Sequence, residues 1–197
     1  MEIETVMVKD LRDKTGAGVL DCKKALMASE GNMDKAIAYL REKGLAAAAK
    51  KATRTTSQGV IASYVHPGSH LVVMVEVNCE TDFVARLEEF QALAHDLAMQ
   101  VAASKPEWVS SEDVPVEVQE RERDIYRKQA ESEGKPPRAI ENIIEGRLKK
   151  YLAEFCLLEQ PFIKNPDLSV KDLVIAAIAR TGENIKVSRF VRWELGG

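Results

Sequence analysis

His66, His70 and Cys79 are the residues of this sequence best suited by type to hold a metal ion, because imidazole nitrogen and thiolate sulfur are common donors. The two histidines bracket the turn Pro67-Gly68-Ser69, and the cysteine follows beyond an apolar run. Their spacing matches neither a CxxC pair nor a helical HExxH, so the simpler reading is solvated loop histidines, and no metal ligand is assigned. TGAG, Thr15 to Gly18, is rich in glycine but lacks the GK that follows in a phosphate-binding loop and the strand that precedes it. Cys22, Cys79 and Cys156 are far apart, with no CxxC spacing for redox work and no disulfide framework. Asp and Glu fall mostly on charged helix faces. No nucleophile with its base, no metal cluster and no phosphate loop emerges. The expectation is a protein that is not an enzyme, needs no cofactor and acts by binding another macromolecule.

The composition narrows the partner. The chain has 197 residues, 45% hydrophobic and 30% charged, which suits a soluble protein of one domain or of a small module plus a larger one. A net charge of −3 argues against direct nucleic-acid binding, which draws on an excess of Lys and Arg to displace counterions from phosphates. No apolar run approaches the roughly 20 residues of a membrane helix. MEIETVMVKDLRDKTG carries acids where a signal peptide carries bases, so the expected location is cytoplasmic.

The elements that must carry any site divide into two groups. A first helix holds Val8 and Leu11, and TGAG breaks it because two glycines relieve a tight turn. A second helix places Val19, Cys22 and Leu26 at helical spacing. Asn32 is the expected cap of a third, in which Met33, Ala36, Ile37 and Leu40 recur at i, i+3, i+4 and i+7, with Gly44 closing it. A short connecting helix and the linker TRTTSQG follow. This predicts a three-helix module over residues 1–54 and a second domain over 55–197. Lys50, Lys51 and Arg54 could touch phosphate, but a solvated linker is the simpler reading in an acidic chain.

The second domain is predicted to be α+β, with about three antiparallel strands and helices packed on them. VIASYVH and HLVVMVEVN form a hairpin around PGS, the second strand being apolar enough to be covered on both faces. Phe90, Leu93, Leu97 and Val101 mark a helix; Ser110 to Pro137 reads as a charged helix ended by GKPP. Ile140, Ile143, Ile144, Leu148, Leu152, Phe155 and Leu158 mark the buried stripe of the next, and QPFIKNPD reads as a loop. Ser169 and Asp172 form a capping box for a last helix that Gly182 stops. The final strand places Ile185, Val187, Val191, Trp193 and Leu195 on one face.

One junction is unusual. NCETDFVAR, Asn78 to Arg86, lies where the second strand stops and a helix starts, and it places a phenylalanine directly after an acid. Asp82 is a natural helix cap there, and Phe83 read alone is a core ring packed beneath that helix. An exposed ring with a partner-binding role is the alternative.

Two stretches decide the reading at the level of a family. LRDKTGAGVLDCKKAL, Leu11 to Leu26, and VEVNCETDFVAR, Val75 to Arg86, resemble the two signatures of the elongation factor Ts family. RTGENIKVSRFVRWELGG is similar to that family's terminal strand, and the QPF of the preceding loop recurs there, so the resemblance runs from end to end. It implies a nucleotide-exchange factor for the translational GTPase elongation factor Tu, engaging both its GDP-bound and nucleotide-free forms. It also implies that the N-terminal module is of the ubiquitin-associated type and docks through Arg12, Val19, Leu20 and Lys23. Thr81, Asp82, Phe83 and Val84 match the motif that disturbs the partner's magnesium site, with Phe83 as a wedge. The chain departs from the family where methionines often replace Val19 and Leu20, which keeps an apolar contact without the adaptability of Met. It departs again at Leu87, where Asn, Ser or an acid is common. Long members of the family carry a second core half, so this short chain is expected to form a homodimer and a two-to-two complex. Two other classes remain at this level: an adaptor that uses its three-helix module without exchange, and a metal-dependent enzyme built on His66, His70 and Cys79.

Overall fold

The computed structural model describes residues 3–196. The protein is α+β. Three helices open it, α1 (Thr5–Thr15), α2 (Val19–Ala28) and α3 (Met33–Lys51). Strands β1 (Gln58–Val65) and β2 (Leu71–Cys79) follow, then the single turn α4 (Asp82–Ala85) and the helix α5 (Glu88–Ser104). Helices α6 (Val116–Ser132) and α7 (Pro137–Phe155) precede the short strands β3 (Pro161–Phe162) and β4 (Asn165–Ser169). Helix α8 (Val170–Thr181) and strand β5 (Ile185–Glu194) complete it. The chain divides into two compact units, one of Met1–Ala62, Val75–Asp96 and Lys171–Ser188, the other of Ser63–Met74, Leu97–Val170 and Arg189–Gly197.

In the first unit, helices α1 to α3 share a core of Val8, Leu11, Cys22, Ala25, Leu26 and Ala36. Met33, Ile37 and Leu40 pack against it, as their i, i+4, i+7 spacing requires. Asn32 caps α3, its side-chain oxygen accepting from the Lys35 N–H at 3.0 Å. Of the glycines in TGAG, Gly16 is the one the turn demands: it ends α1 at φ 65°, and its N–H donates to the Arg12 carbonyl at 2.7 Å. Gly18 has an ordinary φ of −62°.

Helix α3 does not stop at Gly44. It runs on to Lys51, so the predicted connecting helix is its last turns. The alanine run favours continuation. Glycine sits inside the helix because α8 passes close by: a Cβ at residue 44 would stand 3.2 Å from Ile175 Cγ2. Arg41 pairs with Asp172 of α8 at 3.1 Å on the same flank.

The main sheet has the order β1-β2-β5. The hairpin turn is closed by the His66 N–H donating to the Leu71 carbonyl at 2.9 Å. Strand β5 runs opposite to β2, since Asn184 just before it bonds Glu80 while Leu195 just after it bonds the His70 carbonyl. Only one face of β2 is packed: Val73, Val75, Val77 and Cys79 are buried, but Met74 is exposed and Val72, Glu76 and Asn78 are half-covered. The expectation of cover on both faces is therefore corrected. In β5 burial is confined to Ile185 and Val187; Trp193 and Leu195, placed by their period on the same face, lie open.

In the second unit, α6 lies along α7, with exposed ion pairs Arg127–Glu141 at 3.3 Å and Arg123–Glu145 between them. Ile144 and Leu148 are buried from α7, which ends at Phe155, so Leu158 falls in a 3-10 turn beyond it. QPFIKNPD is not a plain loop: it holds β3, which pairs antiparallel with β4, and β4 runs on to Ser169. A buried amide pair holds that hairpin, with Gln100 Nε2 donating to Gln160 Oε1 at 3.1 Å and Gln100 Oε1 accepting from the Ile163 N–H at 2.9 Å. Each amide finds its partners inside the protein, as burial of a polar group demands.

Candidate functional site

The end of β2 is anchored before the chain turns. Cys79 is fully buried and its thiol donates to the Thr81 carbonyl at 3.1 Å. The Glu80 carboxylate accepts from the Asn184 N–H at 2.6 Å and from Arg54 at 3.4 Å. Arg54 is thereby paired within the protein. Thr81, not Asp82, caps the helix that follows: its hydroxyl oxygen accepts from the Val84 N–H at 3.4 Å. A threonine hydroxyl one residue earlier reaches the third N–H of the turn, which leaves the Asp82 carboxylate free to pair along the helix with Arg86 at 2.7 Å.

The turn α4 then divides its side chains. Val84 and Ala85 point inward and are 7% exposed, whereas Phe83 is 77% exposed. The core-ring reading of Phe83 is thus overturned. A ring of this size held in solvent by a buried flank is a ready anchor for a partner. Leu87, four positions further along the chain, is also exposed.

The N-terminal candidates separate in the same way along α2. Cys22, Ala25 and Leu26 face the core, while Val19 (52% exposed) and Leu20 (74% exposed) stand open in the first turn, with Lys23 exposed one turn later. Val19 is therefore not part of the buried stripe. An open cleft of about 500 Å³ is lined by Arg12, Asp13, Gly16, Ala17, Gly18, Val19, Glu89 and Arg180, and so brings Arg12 and Val19 together. Arg180 and Glu89 are ion-paired across it at 3.0 Å.

His70 and Cys79 stand at opposite ends of β2, nine residues long, so the three candidate metal donors do not converge. Among the described residues, no three His, Cys, Asp or Glu side chains are grouped to hold a metal ion. Burial pushes all three thiols up, that of Cys156 to about 11, which keeps them protonated and unreactive near neutrality. What the two sites offer is apolar side chains with flanking charges on firm backbone.

The sequence profile of the family described as "Elongation factor TS" matches residues 4–197. The chain belongs to the elongation factor Ts family. It is 59% identical to the elongation factor Ts of Carboxydothermus hydrogenoformans over 98% of this chain and 89% of that protein. It is 56% identical to that of Heliobacterium modesticaldum, over 98% and 90%. With the elongation factor Ts of Thermodesulfovibrio yellowstonii it shares 55% over 100% and 98%. Membership of the elongation factor Ts family makes this a translation elongation factor. No described helix is long and apolar enough to cross a membrane.

Two residues outside either signature hold the exposed turn from below. Glu183 and Asn184, in the bend between α8 and β5, bond Thr81 and Glu80 across more than a hundred residues of sequence. In the sequence they fall within RTGENIKVSRFVRWELGG, as an acid and an amide directly after the helix-ending Gly182.

Proposed function

We propose that this translation factor is a guanine-nucleotide exchange factor for elongation factor Tu, acting in the cytoplasm without covalent chemistry and without a cofactor. Thr81, Asp82, Phe83 and Val84 engage the GDP-bound partner and disturb its magnesium and phosphate site, with Phe83 as the wedge. The observation that carries this reading is the exposure of Phe83 at 77% on a turn whose next two residues are buried. A ring presented in advance loses little conformational freedom on docking. By linkage, bound factor and bound GDP weaken each other by equal factors, and GTP then displaces the factor. The test is release of fluorescent GDP from elongation factor Tu: catalytic amounts of this protein accelerate it, and no acceleration would overturn the proposal.

Residues 1–54 serve as the docking module in this reading, through Arg12, Val19, Leu20 and Lys23, and residues 55–197 as the core. The side chains of Val19, Leu20 and Lys23 all stand open on α2. Charge reversal at an exposed rim position mainly slows association. Lys23→Glu is therefore expected to lower the affinity for elongation factor Tu several-fold through a slower on-rate, with dissociation nearly unchanged, as read by stopped-flow binding.

The factor acts as a homodimer with two partners bound. Val65, Met74, Trp193 and Leu195 are exposed along the three-stranded sheet, and such a small sheet gains from cover. Light scattering at micromolar concentration is expected to give twice the chain mass of 21.9 kDa. A monomer mass would defeat this part of the reading.

A further inference from the structure

The Glu183 carboxylate accepts three hydrogen bonds from one short segment. The Glu80 and Thr81 N–H groups donate to Oε2 at 3.1 and 3.0 Å, and the Thr81 hydroxyl donates to Oε1 at 2.6 Å. The last bond has a consequence for polarity. A hydroxyl has one proton, and with that proton committed to Glu183 its lone pairs are directed elsewhere, where one accepts the Val84 N–H. Glu183 thus orients the group that caps α4. Asn184 fastens the same bend: its N–H donates to the Glu80 carboxylate at 2.6 Å, and its side-chain nitrogen donates to the Arg54 carbonyl at 3.0 Å.

We infer that Glu183 is a positioning residue for exchange, which holds Thr81 so that Phe83 is presented in one fixed direction; this rests on the exchange reading above. Phe83 is 77% exposed, so little packing of its own ring is left to set where it points. Its direction follows from where α4 begins, and that is set at Thr81. Bonds from a carboxylate to backbone N–H groups are charge-assisted and directional, which suits a clamp better than packing would. Thr81 is itself exposed, so water can replace the lost acceptor when Glu183 is shortened, and the fold survives its loss. What is lost is preorganisation: the turn must then be ordered at the moment of docking.

The experiment uses the full chain and fluorescent GDP on elongation factor Tu. Glu183→Ala is expected to slow release about tenfold at sub-saturating factor, the scale of ordering a few side chains and their backbone on binding. In a Phe83→Ala background the same change is expected to add less than about twofold, because Glu183 acts through that ring. Amide exchange at Glu80 and Thr81 should quicken in the free variant. Glu183→Gln keeps the volume and one acceptor, is expected to lose less, and takes the place of the alanine variant if that one melts early. An equal loss in both backgrounds marks a general structural defect and overturns the inference, as does undiminished release by Glu183→Ala. If the wild type itself fails to release GDP, the exchange reading falls and this role with it; normal release by the wild type, unaffected by Glu183→Ala, defeats the positioning role alone.

Discussion

Phe83→Ala is expected to slow the stimulated release of GDP about thirtyfold or more while leaving the melting temperature nearly unchanged. The kinetic figure follows from the cost of truncating an interface anchor, about 2 kcal/mol or more. The thermal figure follows from exposure: at 77% open, the ring has little buried area to lose. The residues that hold the turn, Val84 and Ala85 beneath it and Thr81 at its cap, are untouched by the change. The measurement pairs a circular-dichroism melt with fluorescent GDP release at matched concentrations of folded protein. A large fall in melting temperature with exchange intact would show that the ring supports the fold rather than the partner.

Phe90→Ala should do the opposite. Phe90 lies seven positions further on, in the first turn of α5, and is 1% exposed. Removing a fully buried ring loses its transfer free energy and leaves a cavity that neighbours fill only in part, a cost of about 3–5 kcal/mol. For a chain of this size that corresponds to a fall in melting temperature of roughly 10 °C. Exchange per folded molecule, measured well below the new midpoint, should stay close to wild type because Phe90 presents nothing to a partner. A melt that hardly moves would mean that the site collapses around the missing ring or that the ring is not packed. The two phenylalanines together separate stability from function within one short stretch, and each serves as the control for the other.

The loss of exchange in Phe83→Ala and the milder loss in Glu183→Ala differ in origin. One removes the group that meets the partner; the other releases the direction in which that group is held. Their combination is therefore expected to be less than multiplicative.

Periodicity and local turn chemistry were enough to determine the helical opening, the cap at Asn32, the hairpin around Pro67–Ser69 and the α+β class, because each depends on residues within a few positions of one another. The two signature stretches were enough to point to the family. Tertiary structure alone decided the rest. Gly44 reads as a stop until α8 is seen passing beside it, at a distance that a side chain at residue 44 would crowd. Asp82 and Thr81 are both good caps by type, and backbone direction at the end of β2 chose Thr81. Trp193 and Leu195 carry the right period for burial, but among the described residues they lie open, at 63% and 71% exposed. The direction of Phe83 is the plainest case: an apolar residue at a strand–helix junction suits a core or a surface equally, since hydrophobicity has no direction of its own. Burial of Val84 and Ala85 on one side of a single turn put the ring on the other, and a carboxylate about a hundred residues away in the chain holds the turn in that orientation.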